Sequence, residues 1–382
     1  MDAIGLLQDL IRRPSVTPTD AGVLDVVEAA LRPLGFEITR LTFEGDGSYP
    51  VDNLFATRGP KGSNESRHLL FAGHTDVVPP GDASLWTHDP FAAEIADGKI
   101  FGRGAADMKS GVAAFIAAVA SSADTTGRIS LAITNDEEAD SINGTEKLLA
   151  WAAAAGHRFD FAIVGEPSAT AHVGDSIKVG RRGSLNGRIV VGGVQGHVAY
   201  PDRARNPLPV AAAIVADLSG KLDGGNGSFP PTNLEFTSVD VGNATTNVIP
   251  AQATLRFNVR YNDGWTPERL EAFIRDRLAA LTAQGCSIDF TVAGRSSRAF
   301  LCPQGEAVDT LIAAIAAING TGPELSTAGG TSDARFVAQY CPVVECGLPG
   351  PTMHKADEHV AVADVAALTR LYGSFIAAYF AT

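Results

Sequence analysis

Only four of the 382 residues are cysteine, and Cys286, Cys302, Cys341 and Cys346 all fall in the last quarter with no C-x-x-C spacing. That argues against a redox or thiolate-metal role, and the four read as buried, reduced thiols. Positive charge is scarce as well. Thirty Lys and Arg stand against 43 Asp and Glu, a net charge of −13, and no basic cluster offers the cationic face that a phosphate backbone requires. No run approaches the roughly 18 apolar residues of a membrane span. The opening Met1-Asp2-Ala3-Ile4-Gly5 lacks the basic and apolar regions of a signal peptide. The expectation is a cytoplasmic protein with no nucleic-acid or membrane partner. What the chain has in quantity is core: 45% of its residues are hydrophobic and only 19% charged. Forty glycines and 21 prolines, spread along the whole length, mark many tight turns. At about 150 residues per domain, the length suggests two or three domains.

Helical and strand patterns alternate over residues 1–177 in the manner of βαβ units. Helices are expected at 2–12, 21–33, 109–122 and 143–155. Short apolar runs at His68-Leu69-Leu70-Phe71-Ala72, Ile129-Ser130-Leu131-Ala132-Ile133-Thr134 and Phe161-Ala162-Ile163-Val164 read as buried strands. Residues 178–294 read differently, as strand 184–194, helix 207–219, strands 233–241 and 250–261, helix 267–283 and strand 286–293. That β-α-β-β-α-β order is ferredoxin-like and marks an inserted α+β domain. The alternation resumes over 295–382, with helices at 307–318 and 363–380 and a strand at Val343-Val344-Glu345. The expectation is an α/β protein in which 1–177 and 295–382 share a mostly parallel sheet.

Three of the expected strands end in polar clusters: Gly73-His74-Thr75-Asp76, Asn135-Asp136-Glu137-Glu138 and Gly165-Glu166-Pro167-Ser168. Ligands of open α/β sheets bind outside the carboxyl ends of the strands, so these exits face one crevice. A fourth cluster, Gly102-Arg103-Gly104-Ala105-Ala106-Asp107-Met108-Lys109, places Asp107 near the start of a long apolar helix. Taken singly, each acid could cap a helix or face solvent. Together they offer carboxylates and an imidazole without cysteine, a donor set for two divalent ions such as zinc about 3.5–4 Å apart. Glu137 and Glu138 are adjacent, so their side chains diverge. One can ligate while the other faces the reacting water as general base.

These motifs, in this order and at these separations along the whole chain, resemble the M20 metallopeptidase and amidohydrolase family. The resemblance implies a zinc-hydrolase catalytic domain with an inserted dimerisation or lid domain. It also implies two zinc ions per subunit, for which cobalt(II) can substitute. Asp107 would bridge the ions, with His74 and Glu166 on one and Glu138 and His354 on the other. His354 lies in Met353-His354-Lys355-Ala356-Asp357-Glu358, and the residues alone do not select it over His359. Asp76 would orient the His74 imidazole, and Glu137 would be the general base. His197, in Gly196-His197-Val198, would reach the partner subunit's active site to hold the oxyanion, and Asn247 would approach substrate across the same homodimer.

Arg181, Tyr200 and Arg260 match positions that approach substrate carboxylates, which guanidinium groups pair bidentately. Thr331 and Ser332, in Gly329-Gly330-Thr331-Ser332-Asp333, would donate hydrogen bonds to substrate. These lines, with Gly180-Arg181-Arg182-Gly183-Ser184 and Thr246-Asn247-Val248-Ile249-Pro250, resemble the branch that hydrolyses N-succinyl-LL-2,6-diaminopimelate, a step towards lysine and cell-wall precursors. Relatives acting on acetylornithine or dipeptides are the alternative, and a noncatalytic homologue would lack a ligand or the base. Two positions depart from the pattern: Thr246, where an Asn is common, and Gly350, near where many members of the branch carry Asn.

Overall fold

The computed structural model describes residues 1–60, 66–122 and 127–381. The chain divides into two compact units, one of Met1–Val179, Cys302–Ser326 and Ser332–Thr382, the other of Gly180–Leu301 and Thr327–Thr331. Sequence reading places the limits of the inserted segment at 178 and 294. The second lies later because the last long strand runs to Ser297 and Phe300-Leu301 then pairs with Gly180-Arg181.

In the first unit, α1 (Ala3–Ile11) starts where the Asp2 carboxylate accepts the Ile4 N–H at 3.0 Å, and it buries Leu6, Leu7, Leu10 and Ile11 on one face. Helix α2 (Val23–Leu31) buries Val23, Leu24, Val27 and Leu31 in the same way. A hairpin follows, β1 (Glu37–Gly45) and β2 (Ser48–Arg58). Strand β3 (His68–His74) is buried at every residue, as a strand covered on both faces must be. After α3 (Ser110–Ala120), β4 (Arg128–Thr134), α4 (Thr145–Ala154) and β5 (Phe161–Val164), a short β6 (Ser176–Lys178) precedes the second unit. Helix α3, SGVAAFIAAVA, carries no charge and is enclosed almost all round. Apolar residues on every face are what an internal helix requires.

The second unit has four long antiparallel strands, β7 (Gly183–Gly192), β8 (Asn233–Asp240), β9 (Gln252–Tyr261) and β10 (Ser287–Ser297), in the order β8-β9-β7-β10. Helices α5 (Pro207–Leu218) and α6 (Pro267–Ala280) each begin with proline behind a side-chain cap, Asn206 and Thr266 respectively. With α5 between β7 and β8 and α6 between β9 and β10, this is the ferredoxin-like arrangement. Its core is Leu185, Ile189 and Val191 of β7, Leu255, Phe257 and Val259 of β9, and the inner faces of both helices.

The chain returns to the first unit with α7 (Glu306–Asn319), β11 (Glu324–Ser326), β12 (Val343–Glu345) and α8 (Val362–Ala381). The completed sheet runs β1-β2-β4-β3-β5-β12-β6-β11, parallel through its centre from β4 to β12, with the antiparallel hairpin at one edge. This is the mostly parallel α/β sheet expected from the sequence. All four cysteines are free, but Cys286 is only half-buried; its sulfur lies 3.6 Å from the Asn206 carbonyl near the start of α5. Among the described residues no helix is long and apolar enough to cross a membrane.

Candidate metal centre

Strands β3, β4 and β5 lie side by side and parallel, with His74 opposite Thr134 in the register. Their carboxyl ends therefore deliver His74, the Glu137-Glu138 turn and Glu166 to one place. The strand exits are tied together. The Thr75 N–H donates to the Thr134 carbonyl at 3.0 Å and the Thr75 hydroxyl to Asn135 at 2.7 Å. Behind them, Gly111 of α3 packs so closely on the β5 exit that a Cβ there would sit 2.4 Å from the Gly165 carbonyl. Any side chain at position 111 would displace the backbone that carries Glu166.

Asp107 stands in a buried turn before α3, with φ −122° and ψ 101°, outside the helical region. Its two oxygens face two ligand groups. Oδ1 lies 3.3 Å from His74 Nε2, which is 3.6 Å from Glu166 Oε1; Oδ2 lies 3.4 Å from His354 Nε2, which is 3.0 Å from Glu138 Oε1. Each group keeps all its ligand atoms within 4.8 Å of one another. Tetrahedral ligands at bonds of about 2.0–2.1 Å sit about 3.3 Å apart, so both groups fit a divalent cation, with Asp107 shared. The sequence could not choose between His354 and His359. The structure brings His354 to the centre, while His359 Nδ1 turns to the Asp357 carbonyl at 2.7 Å.

The electrostatics fit a cation as well. Burial pushes Asp107 up, but hydrogen bonds with His354 and His74 outweigh it and hold the carboxyl well below the usual range. Hydrogen bonds with Asp107 and Glu138 draw His354 up to about 10. Burial, reinforced by the Asp107 charge, drives Glu166 well above its ordinary value. A cation held among these groups would offset the same crowded carboxylates.

Glu137 belongs to neither ligand group. Burial raises its carboxyl well above the ordinary range, and the nearby Asp333, Glu138 and Asp107 charges add to that against the opposing effect of His74. Asp76 lies beneath. The His74 Nδ1 contact is to the Asp76 carbonyl at 3.0 Å, with the carboxylate farther at 3.5 Å. That carboxylate accepts the backbone N–H groups of Glu137 and Glu138, at 3.3 and 3.1 Å, and the Thr17 hydroxyl at 2.8 Å. Asp76 thus orients the two acids through their amides as well as steadying the imidazole.

Sequence reading gave no role to Asp136, which shapes the same turn by accepting the Ser141, Ile142 and Asn143 N–H groups and the Tyr49 hydroxyl. A carboxylate just after a strand and before a small, polar stretch is the available signal. Asp333, buried 3.9 Å from Arg335, was also passed over. The Ser332 hydroxyl, expected to meet substrate, donates to the buried Glu345 carboxylate.

In the second unit, His197 and Asn247 are both exposed; His197 pairs with Val248 in a two-stranded ribbon, and Asn247 stands in the turn just before it. The Ala199 N–H donates to His197 Nδ1 at 3.0 Å, so the neutral ring carries its proton on Nε2 and presents a donor. Tyr200, 56% exposed, follows on the next turn. Arg181 is buried and donates to the Ala328 carbonyl, which places it against the 327–331 loop that carries Thr331. Arg260 sits on β9 opposite Ser184 and Asn233, with a buried Nη1 that has no hydrogen-bond partner among the described residues; burial, with Arg182 nearby, lowers its pKa.

A model of peptidase family M20/M25/M40 matches residues 70–378. The chain is 52% identical over 386 residues to a succinyl-diaminopimelate desuccinylase of Rhodopseudomonas palustris, covering 100% of this chain and 99% of that one. It is 54% identical to the desuccinylase of Rhodospirillum centenum, with coverage of 100% and 98%. Among solved structures, the M20 family metallo-carboxypeptidase Sso-CP2 from Sulfolobus solfataricus superposes with a TM-score of 0.79 at 18% identity, over the full length of both chains.

Proposed function

The chain belongs to peptidase family M20/M25/M40, a family of metal-dependent hydrolases, and from that premise we propose that it is a dizinc amide hydrolase that splits N-succinyl-LL-2,6-diaminopimelate into succinate and LL-2,6-diaminopimelate. One observation carries the reading: two complete ligand groups share Asp107, in a chain similar over its whole length to desuccinylases. His74, Asp107 and Glu166 would hold one zinc, Asp107, Glu138 and His354 the other, with cobalt(II) as a substitute. Two such ions supply Lewis acidity, acidifying a water and polarising an amide carbonyl.

The chain's own groups do the rest. Glu137, half-buried and free of ligand duty, takes a proton from the attacking water and delivers it to the leaving nitrogen. Asp76 holds Glu137 in place through its amide. His197 Nε2 donates to the oxyanion from across a homodimer, beside Asn247. Arg181, Tyr200, Arg260, Thr331 and Ser332 form the substrate-binding set, with Ser332 acting through the 327–332 loop because its hydroxyl is held by Glu345.

The dimer reading has support in the second unit. Among the described residues, strand β8 is covered at its outer edge only at Asn233 and Leu234, by residues 220–221, which leaves the rest of that edge open. An apolar groove lined by Leu208, Ala211, Ala212, Val215 and Val239 runs beside it. An open edge next to apolar surface is a surface a second copy can cover.

A panel of N-acylated amino acids, assayed with zinc-loaded protein for released succinate and acetate, tests the reading. Succinate release from the diaminopimelate conjugate should dominate. Preference for acetylornithine would reject the succinyl assignment and leave the hydrolase standing. Within that panel, Arg181→Ala should cut kcat/KM for the succinyl substrate by about ten- to a hundredfold, the worth of a buried charged hydrogen bond, and change acetyl activity far less. Equal losses would mean that Arg181 supports the 327–331 loop or binds the amino-acid half.

A further inference from the structure

Four residues after His354, Glu358 is fully buried, and so is nearly all of Arg103. Glu358 Oε2 accepts Arg103 Nη1 at 2.6 Å. Its other oxygen accepts two backbone N–H groups, from Ala106 at 2.8 Å and from Asp107 itself at 3.2 Å. The Glu358 carbonyl accepts the Gly102 N–H at 2.8 Å, and Arg103 Nη1 also reaches the Lys355 carbonyl at 3.3 Å. One carboxylate thus joins the turn that carries the shared ligand to the loop that carries the most exposed one.

Both partners need such an anchor. The Asp107-Met108 backbone lies outside the helical region, so the turn cannot be fixed by helix hydrogen bonds at those residues. His354 has φ +60°, a left-handed conformation costly for a residue with a side chain and kept only where the surroundings over-determine it. His74 ends strand β3 and Glu166 follows β5, by contrast, and both strands are paired on both sides.

We propose that Glu358, held by Arg103, is a positioning residue for the metal centre: it sets the distance between Asp107 and His354 and so creates the second metal position, the one formed with Glu138. This rests on the dinuclear reading above. The role belongs to the acceptor oxygens rather than to the negative charge. In Glu358→Gln the amide turns its NH2 towards either Arg103 or the backbone N–H groups, and donor meets donor in both cases. Removing the cation as well, in Arg103→Met/Glu358→Gln, frees the amide oxygen to accept both N–H groups.

Metal-free protein titrated calorimetrically with Zn2+, and followed with Co2+ by its visible ligand-field bands, tests this. The unmutated protein should bind two ions. Glu358→Gln should bind the first within about threefold of the unmutated affinity and the second about ten- to a hundredfold more weakly, the usual cost of removing an outer-shell hydrogen bond. The double variant should regain most of the second affinity. If Glu358→Gln does not fold, Glu358→Asp, which keeps the pairing charge but is one methylene too short to span the three donors, should show the same asymmetry. A lowered Tm of the metal-free variant with unchanged affinities, an equal loss at both positions, or no recovery in the double variant would overturn the proposal. Fewer than two ions on the unmutated protein would instead overturn the dinuclear reading, and the positioning role with it.

Discussion

Replacing Glu137 by Gln or Ala is expected to lower kcat by about a hundred- to ten-thousandfold, the usual contribution of a positioned proton-transfer group, while both metal positions stay filled. Glu138→Ala should do the opposite in metal analysis and lose the ion it shares with His354. The two residues are neighbours on one turn, and their difference is geometric. Glu138 Oε1 lies 3.0 Å from His354 Nε2, at the spacing of two ligands on one cation, whereas no Glu137 oxygen joins either ligand group. Both amides are pinned by the same Asp76 carboxylate, so the divergence of their side chains is fixed by the backbone. Because Glu137→Gln keeps the size and removes only the proton-carrying function, its loss should appear in kcat with little change in KM. Metal lost from Glu137→Gln and retained in Glu138→Ala would exchange the two roles.

The ligands that follow strands were legible because a buried parallel strand announces itself. His68-Leu69-Leu70-Phe71-Ala72 and Phe161-Ala162-Ile163-Val164 have no polar alternation, so the abrupt His74-Thr75-Asp76 and Glu166 after them mark the sheet's carboxyl edge. The ferredoxin-like unit was legible for a related reason: its strands alternate inward and outward residues, as in β7. The edge hairpin β1–β2 was not. Strand β1 is buried at none of its residues and mixes charged and apolar side chains, so it has no run to detect. His354 was hidden too, because its loop has no helical or strand period and the contacts that tie that loop to the centre are distant in sequence, among them Glu358 with Ala106 and Asp107. A carboxylate's partners depend on which backbone amides the fold leaves unpaired. Composition cannot report that, and so Asp136 and Glu358 did not stand out in the sequence although each anchors a different part of the centre.

Mixing two inactive proteins, His197→Ala and Glu137→Ala, is expected to restore activity once subunits exchange. His197 is exposed on a short ribbon of the second unit, with Nδ1 occupied by the Ala199 N–H and Nε2 left as a donor. If that donor serves the partner's metal centre, each site draws Glu137 from one subunit and His197 from the other. A mixed dimer then contains one site with both residues altered and one with both intact. Random exchange makes half of all dimers mixed, so about a quarter of the sites, and about a quarter of the unmutated rate, should return. Neither parent can supply that signal alone. Exchange shown by mass or fluorescence labelling without recovery would place His197 in its own subunit's site or outside catalysis. Recovery should also vanish when either parent carries a charged residue at Val239, on the open edge of β8, if that edge forms the dimer; Val239→Lys is the variant to use, since the residue is 54% exposed and the change costs the folded monomer little.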